Sequence, residues 1–335
     1  SRKEPEIAGA GPLRTGKSMA SAAAMGEGVS EAQAAELAAK GFVVVDGFLG
    51  AERAVALREE AAALARAGRL PEHRFQFGTE QFVKPHIFEA DLGDQAMQEA
   101  LPQLAELLFD DGLQVMLAPS LPDLGLQRGA GAKSVKLQHN RGSGGCFPLH
   151  YDNAGKPSRR AVTCVVYLNP EWREGDGGEL VLWPFLQPEV VVPPLMGRAA
   201  LFRSDLVLHR VLPAKAERFC FTIWLDGNAV NSPAACNLTS KHLCTEPEAV
   251  SALCSSPVQR AISRVVYAEE YEESLQDCMA GAPGGAEMLE EHRSHVTKQR
   301  CHPQLGPLIE HLRSLKPGPR AGGRAAAPAE APEGS

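Results

Sequence analysis

Between Ser134 and Gly227 the sequence breaks into short apolar runs separated by Gly, Pro and Asn, and this texture constrains the fold more than any other feature. The runs are Val135-Lys136-Leu137, Val162 to Leu168, Glu179 to Trp183, Val190-Val191-Val192, Ala199 to Phe202 and Phe219 to Leu225. They are rich in β-branched and aromatic side chains, which suit a pleated, half-buried surface, so each reads as a strand. The longest gap carries Glu174-Gly175-Asp176-Gly177-Gly178, a turn cluster. Many short strands at close intervals predict a sandwich or barrel, here a jelly-roll core over 134–227.

Helical patterns flank that core. Ser30-Glu31-Ala32-Gln33 has the form of a capping box opening a helix to Lys40, with Gly41 as its stop. Phe42 to Val45 is a β-branched strand and Asp46-Gly47 a turn; Ala51 to Ala67 is an alanine-rich helix ended by Gly68. Met97, Leu101, Leu104 and Leu108 recur at helical spacing over 95–116, interrupted or opened afresh at Pro102. The intervening 69–92, with His73, Phe75, Phe77, Phe82 and His86, is expected to cover the core rather than face a ligand. After Gly227 the strand texture stops. A Ser-, Pro- and Cys-bearing loop (228–256) leads to helical patterns near 257–280, 286–299 and 304–315. The acidic run Glu269, Glu270, Glu272 and Glu273 reads as a solvated helix face.

The expected class is therefore α+β: a jelly-roll core with N-terminal helices packed on one sheet and a C-terminal helical extension. The expected division is a leader (1–28), a domain (29–227) with its core at 134–227, an extension (228–316) and a tail (317–335). Leader and tail lack core-forming residues and are expected to be disordered. The leader holds Gly11-Pro12-Leu13-Arg14-Thr15-Gly16-Lys17-Ser18, a formal match to a phosphate-binding P-loop. No hydrophobic strand precedes it and Pro12 sits inside the loop, so it is read as a chance match.

At 335 residues the chain is long enough to bury a proper core. Its net charge of -7, from 34 basic and 41 acidic residues, gives no global cationic field for nucleic acid or an anionic membrane. No apolar run is long enough to span a bilayer. Eight scattered cysteines read as reduced thiols, hence an intracellular protein, cytoplasmic or nuclear, with organelle import left open. Ser1 in place of Met reads as a trimmed start, which leaves any targeting peptide, and with it the compartment, undefined.

The chemistry centres on His150-Tyr151-Asp152. In a strand, residues i and i+2 share a face, so this imidazole and this carboxylate can reach one ion. A lone His-x-Asp proves little, but this one follows the glycine-rich turn Arg141 to Gly145 and sits at a strand end. A third ligand should come from farther along, and His209 in Val207-Leu208-His209-Arg210 is the candidate. A histidine between Leu208 and Val211 is ordinarily a core residue, until Arg218, nine residues on, is considered. Arg218 shares a strand face with Cys220, Thr222 and Trp224, opposite Phe219, Phe221, Ile223 and Leu225. An unpaired guanidinium there would cost about 3–5 kcal/mol. A dicarboxylate is a suitable partner, since arginine forks match carboxylates. Tyr167 could add its phenol, or be an ordinary core tyrosine. Two histidines and a carboxylate on one side of a metal form the facial triad of non-haem Fe(II) oxygenases.

Together, His150-x-Asp152, the run Val162 to Asn169, Gly177-Gly178-Glu179-Leu180, His209, and Arg218 through Trp224 resemble the 2-oxoglutarate- and Fe(II)-dependent dioxygenases. Within them the chain is most similar to the prolyl 4-hydroxylase group, including the oxygen-sensing prolyl hydroxylases. The resemblance spans about 40–227, is specific in 146–225, and implies a double-stranded β-helix. It implies His150, Asp152 and His209 as iron ligands, and Arg218 on the distal carboxylate of 2-oxoglutarate with Tyr167 assisting. Thr222 and Trp224 would line the same site. The family often has a tyrosine where this chain has Asn140, which makes Asn140 a further candidate at the keto-acid end. The implied reaction consumes O2 and 2-oxoglutarate, releases succinate and CO2, and hydroxylates a prolyl residue of a protein or peptide, with ascorbate as reductant.

Rival readings are oxidation of another side chain or a small molecule, and a metal-binding jelly-roll without turnover. Cys236, His242, Cys244 and Cys254 cluster in sequence, as do His292, His295, Cys301 and His302, but neither group has a zinc spacing. Lys156-Pro157-Ser158-Arg159-Arg160 is read as a solvated basic loop before an acidic-ligand contact.

Overall fold

Two antiparallel sheets face each other in the computed structural model, which describes residues 28–77, 80–231, 237–279 and 282–318. The P-loop match and Cys236 lie outside these residues. The larger sheet takes β1 (Phe42–Val45), β2 (Glu72–Phe77), β3 (Glu80–Asp91), β4 (Lys133–Asn140), β6 (Arg160–Tyr167), β9 (Ala199–Arg203) and β11 (Arg218–Asp226), in the order β1-β9-β6-β11-β4-β3-β2. The smaller holds β5 (Phe147–His150), β7 (Leu180–Trp183), β8 (Val190–Val192) and β10 (Leu208–Val211), in the order β5-β10-β7-β8. This is the jelly-roll expected from the strand texture.

Alternation along β11 sorts the molecule into layers. Phe219, Phe221, Ile223 and Leu225 point outward with Val135 and Leu137 of β4 and Cys164 and Val166 of β6. They pack against the helices α1 (Glu31–Lys40) and α2 (Ala51–Arg66), burying one apolar face of each. The capping box of α1 forms as expected: Ser30 accepts from Gln33 N–H, and Gly41 closes the helix at φ +81°. On the inner face, Val165, Tyr167 and Cys220 meet Leu180, Leu182, Val192 and Val211 of the smaller sheet. The outer face of that smaller sheet, with Leu149, Val181, Trp183 and Leu208, is covered by the extension. Its helices are α6 (Pro247–Cys254), α7 (Arg260–Val266), α8 (Ala268–Met279), α9 (Gly285–Arg300) and α10 (Leu305–Ser314), numbered after the short helices α3 (Gln95–Ala100), α4 (Pro102–Ala105) and α5 (Gly112–Leu117). Val250, Leu253, Ile262, Val266, Leu308 and Leu312 complete one shared apolar cluster, so extension and barrel bury each other.

Three expectations change. The helical pattern over 95–116 is three short helices, α3 (Gln95–Ala100), α4 (Pro102–Ala105) and α5 (Gly112–Leu117). Leu101, at φ -130°, leaves the helical region before Pro102, as the residue preceding a proline tends to do. Residues 69–92, expected as cover, contain the β2–β3 hairpin, which extends the larger sheet by pairing Ile87 with Asn140 through to Asp91 with Lys136. Pro85 and the positive φ of His86 mask the strand alternation there. Finally, not all cysteines are free: Cys146 and Cys278 form a disulfide between the start of β5 and the end of α8, 132 residues apart in sequence. No local spacing encodes such a pair. Among the described residues, no helix is long and apolar enough to cross a membrane.

Candidate active site

The pairing of β10 with β5 sets His209 directly opposite His150, and their ring centroids stand 4.2 Å apart. Asp152, just past the end of β5, closes the triangle: its carboxylate oxygens lie 3.6 Å from His150 Nε2 and 3.7 Å from His209 Nε2. One ligand atom from each of the three lies within 4.8 Å of the others. Among the described residues this is the metal-capable cluster the fold assembles. Both rings are oriented from behind. His150 Nδ1 sits 2.8 Å from the Pro148 carbonyl and His209 Nδ1 3.2 Å from that of Val207. A proton donated there fixes the tautomer and turns both Nε2 lone pairs toward the shared point.

The electrostatics suit a divalent cation. Burial lowers the His209 pKa to about 4, with His150 adding to the effect and Asp152 opposing it, so the ring is neutral at ordinary pH. Burial pushes the Asp152 carboxyl up, but the His209 and His150 imidazoles and the Thr163 hydroxyl outweigh it and hold it well below the usual carboxylate range. Its Oδ2 accepts hydrogen bonds from Thr163 Oγ1 at 2.7 Å and Trp224 Nε1 at 2.9 Å.

Deeper along the inner face, Arg218 is 2% exposed and lies over the Tyr167 ring, 5.3 Å from its centroid. Its Nη1 donates to Gln138 Oε1 at 3.4 Å and to Cys220 Sγ at 3.1 Å. Neither is a carboxylate, so the buried cation has no countercharge among the described residues. Arg218 Nε and Tyr167 Oη are buried with no hydrogen-bond partner among the described residues. Such orphaned groups are rare in folded proteins and mark the place of a polar ligand. Gly178 makes room for the guanidinium: a Cβ there would stand 2.8 Å from Arg218 Cδ, and its φ of +77° also favours glycine. Two neutral imidazoles and a carboxylate fit Fe(II), and an orphaned guanidinium–phenol pair fits the far carboxylate of a keto diacid.

The other candidates divide. Thr222 lies on the same inner face of β11, mostly buried. Trp224 serves the Asp152 carboxylate instead of the Arg218 pair. Asn140 uses its amide on the neighbouring turn, donating to the Gly145 carbonyl at 2.7 Å and accepting from Gly142 N–H at 3.1 Å. Thr163, Ser204 and Gln138 were missed by sequence reasoning. Thr163 hydrogen-bonds Asp152 and is braced by Ser204 Oγ at 2.8 Å. The signal was present in the two-residue period that puts Thr163 on the face of Tyr167. The basic loop, expected to be merely solvated, borders the site: Arg160 lies 4.1 Å over the Trp224 ring. An open cleft of about 560 Å³ beside Asp152 is lined by Tyr151, Lys156, Arg159, Arg160 and Asp226 among others. A second, of about 400 Å³, shares Ala154–Lys156 with it and continues to Asn237, Arg260 and Ala261 of the extension.

The family model described as "2OG-Fe(II) oxygenase superfamily" matches residues 135–226. A prolyl 4-hydroxylase structure from Phytophthora capsici is 40% identical, covers 93% of this chain and 99% of that one, and superposes with a TM-score of 0.75. A Trichoplax adhaerens prolyl hydroxylase, solved with a hypoxia inducible factor oxygen degradation domain peptide fragment, is 25% identical over 59% of this chain and 89% of that one, with a TM-score of 0.51. Egl nine homolog 1 from Mus musculus is 28% identical over 190 residues, 55% of this chain and 46% of that protein. The chain spans about half the length, or less, of the curated relatives it matches.

Proposed function

This chain belongs to the 2OG-Fe(II) oxygenase superfamily, and from that premise we propose that it hydroxylates a prolyl residue of a protein or peptide. The observation that carries the reading is the placement of an orphaned guanidinium–phenol pair, Arg218 and Tyr167, in the same barrel interior as the His150–Asp152–His209 triad. A bare metal-binding module needs no buried cation without a countercharge.

When bound, Fe(II) and 2-oxoglutarate supply the oxidative chemistry: O2 is consumed, the keto acid leaves as succinate and CO2, and one oxygen atom enters a C–H bond. The chain's residues arrange this. His150, His209 and Asp152 hold the metal on one side and leave positions open. Thr163 and Trp224 fix the Asp152 carboxylate through Oδ2. Arg218 and Tyr167 take the far carboxylate, which orients the keto acid toward the triad.

A peptide is favoured over a small molecule by the shape of the approach. The two clefts border the same loop, Ala154–Lys156, and the second reaches Arg260 and Ala261 of the extension, which offers a peptide more than one surface to lie against. The likeness to a prolyl hydroxylase solved with a peptide fragment supports the same choice. Ascorbate is proposed as the reductant that keeps the iron ferrous.

The test is incubation of the purified chain with Fe(II), ascorbate, 2-oxoglutarate and a library of proline-containing peptides. Succinate release and a peptide mass gain of one oxygen atom, both absent in Asp152→Ala, are expected. An iron-loaded chain that yields no succinate, with or without peptides, would refute the proposal and favour the silent module.

A further inference from the structure

Each of the three candidate metal ligands has a neighbour in the chain that the C-terminal extension holds. His150 lies between Leu149 and Tyr151. The Leu149 N–H donates to Ser274 Oγ of α8 at 3.0 Å, and Tyr151 Oη lies 2.7 Å from Ser263 Oγ of α7. Asp152 lies between Tyr151 and Asn153, whose carbonyl and side-chain oxygens accept from Arg260 of α7 at 2.5 and 3.2 Å. His209 is followed by Arg210, 3% exposed, whose Nη2 meets Asp277 Oδ2 of α8 at 2.5 Å.

Strand alternation accounts for the division of labour. Val211 faces the barrel interior, as does His209 opposite His150, so Leu208 and Arg210 turn toward the extension. Leu149 does the same beside His150. The two serines are buried and already fixed by their own helices. Ser263 donates to the Gln259 carbonyl and Ser274 to that of Tyr271, both at 2.8 Å. Each has spent its one proton, so Ser263 accepts from the Tyr151 phenol as Ser274 accepts from the Leu149 N–H.

We propose that the extension is part of the framework of the metal site. Ser263, Ser274 and Asp277 act through Tyr151, Leu149 and Arg210 as positioning residues for His150, Asp152 and His209. This rests on the dioxygenase reading above. A site binds its ion more tightly when the ligands are held in place before the ion arrives, and ligands borne on braced elements are held best. Residues 228–316 thereby contribute to the reaction as well as covering an apolar face.

Tyr151→Phe keeps the ring in its apolar surroundings and Ser274→Ala removes one oxygen atom, so the chain carrying both should fold. Its Mn(II) affinity in the metal-free state, measured calorimetrically, should fall about tenfold, the low end for loss of an outer-shell partner. The EPR spectrum of the bound Mn(II) should also differ from wild type. Leu308→Ala loosens the same extension but removes none of these hydrogen bonds, and should bind Mn(II) as wild type does. Wild-type affinity and spectrum in Tyr151→Phe/Ser274→Ala overturn the proposal. Equal weakening in Leu308→Ala also overturns it, because general loosening would then be the cause. If the double variant does not fold, Tyr151→Phe alone is measured in the same way: a smaller loss supports the proposal and wild-type binding overturns it. A wild-type chain that binds no Mn(II) would instead overturn the iron-site reading itself.

Discussion

Thr163 and Trp224 stand opposite each other across the β6–β11 pairing, and both donate to the same oxygen of Asp152. The larger sheet thereby holds a ligand that belongs to the end of a strand in the smaller one. Neither residue touches the metal position, so both act by positioning.

Removing either donor should be felt at the metal. Thr163→Val and Trp224→Phe are each expected to weaken Mn(II) binding to the metal-free chain by about 10–100-fold, as loss of an outer-shell partner typically does. Thr163→Ser, which keeps the hydroxyl, should retain near wild-type affinity. Equal affinities for Val and Ser at this position would mean that the hydrogen bond does not hold Asp152.

Gly178→Ala probes the room left for Arg218. A Cβ 2.8 Å from Arg218 Cδ, at a φ of +77°, must displace the guanidinium or strain the backbone. The KM for 2-oxoglutarate should rise about tenfold or more while the Mn(II) affinity stays unchanged. A variant with wild-type KM would show that Arg218 does not hold the cosubstrate where its orphaned Nε points.

His209 sets a pH dependence of definite sign. Its folded pKa of about 4 is below the ordinary 6.5, so between these values the unfolded chain binds more protons. Its contribution to stability is therefore present above about pH 6.5 and is lost as the pH falls toward 4. Nitrogen-15 NMR of the metal-free chain should show its ring neutral at pH 5. In His209→Gln the loss of stability between pH 7 and 5 should be shallower. A ring that titrates near its ordinary value would contradict the buried, metal-ready state.

The extension should be inseparable from barrel stability. Leu308, 2% exposed, packs in the cluster shared with the smaller sheet. Leu308→Ala is expected to cost about 2–5 kcal/mol in urea unfolding, with barrel and extension melting in one transition. Two separate transitions, only one of them shifted, would show independent units.

The sequence was most legible where a period governs. The alternation from Arg218 to Trp224 correctly divided outer apolar residues from inner polar ones. His150 and Asp152 do converge as expected, but β5 ends at His150, so the turn beyond the strand and not strand alternation brings Asp152 round. Legibility fell where meaning depends on a distant partner. Thr163 looks like any β-branched strand residue until Asp152 is seen beneath its hydroxyl. Trp224 shares the right face, yet only packing directs its indole to Asp152 rather than to Arg218. Asn140 stands directly opposite Arg218, but the close glycine turn claims its amide, a choice made by backbone geometry. The β2–β3 hairpin went unread because Pro85 and His86 conceal its strand alternation.

The way β5 is held has one further consequence. This strand is the outermost of its sheet, with β10 on one side only. Across its other margin the Leu149 N–H donates to Ser274 Oγ of α8 at 3.0 Å, and the Cys146–Cys278 link lies at the same boundary. The helix occupies the place a neighbouring strand would take and blocks edge-to-edge pairing with a second molecule. The C-terminal region thus covers the free margin of the strand that carries His150.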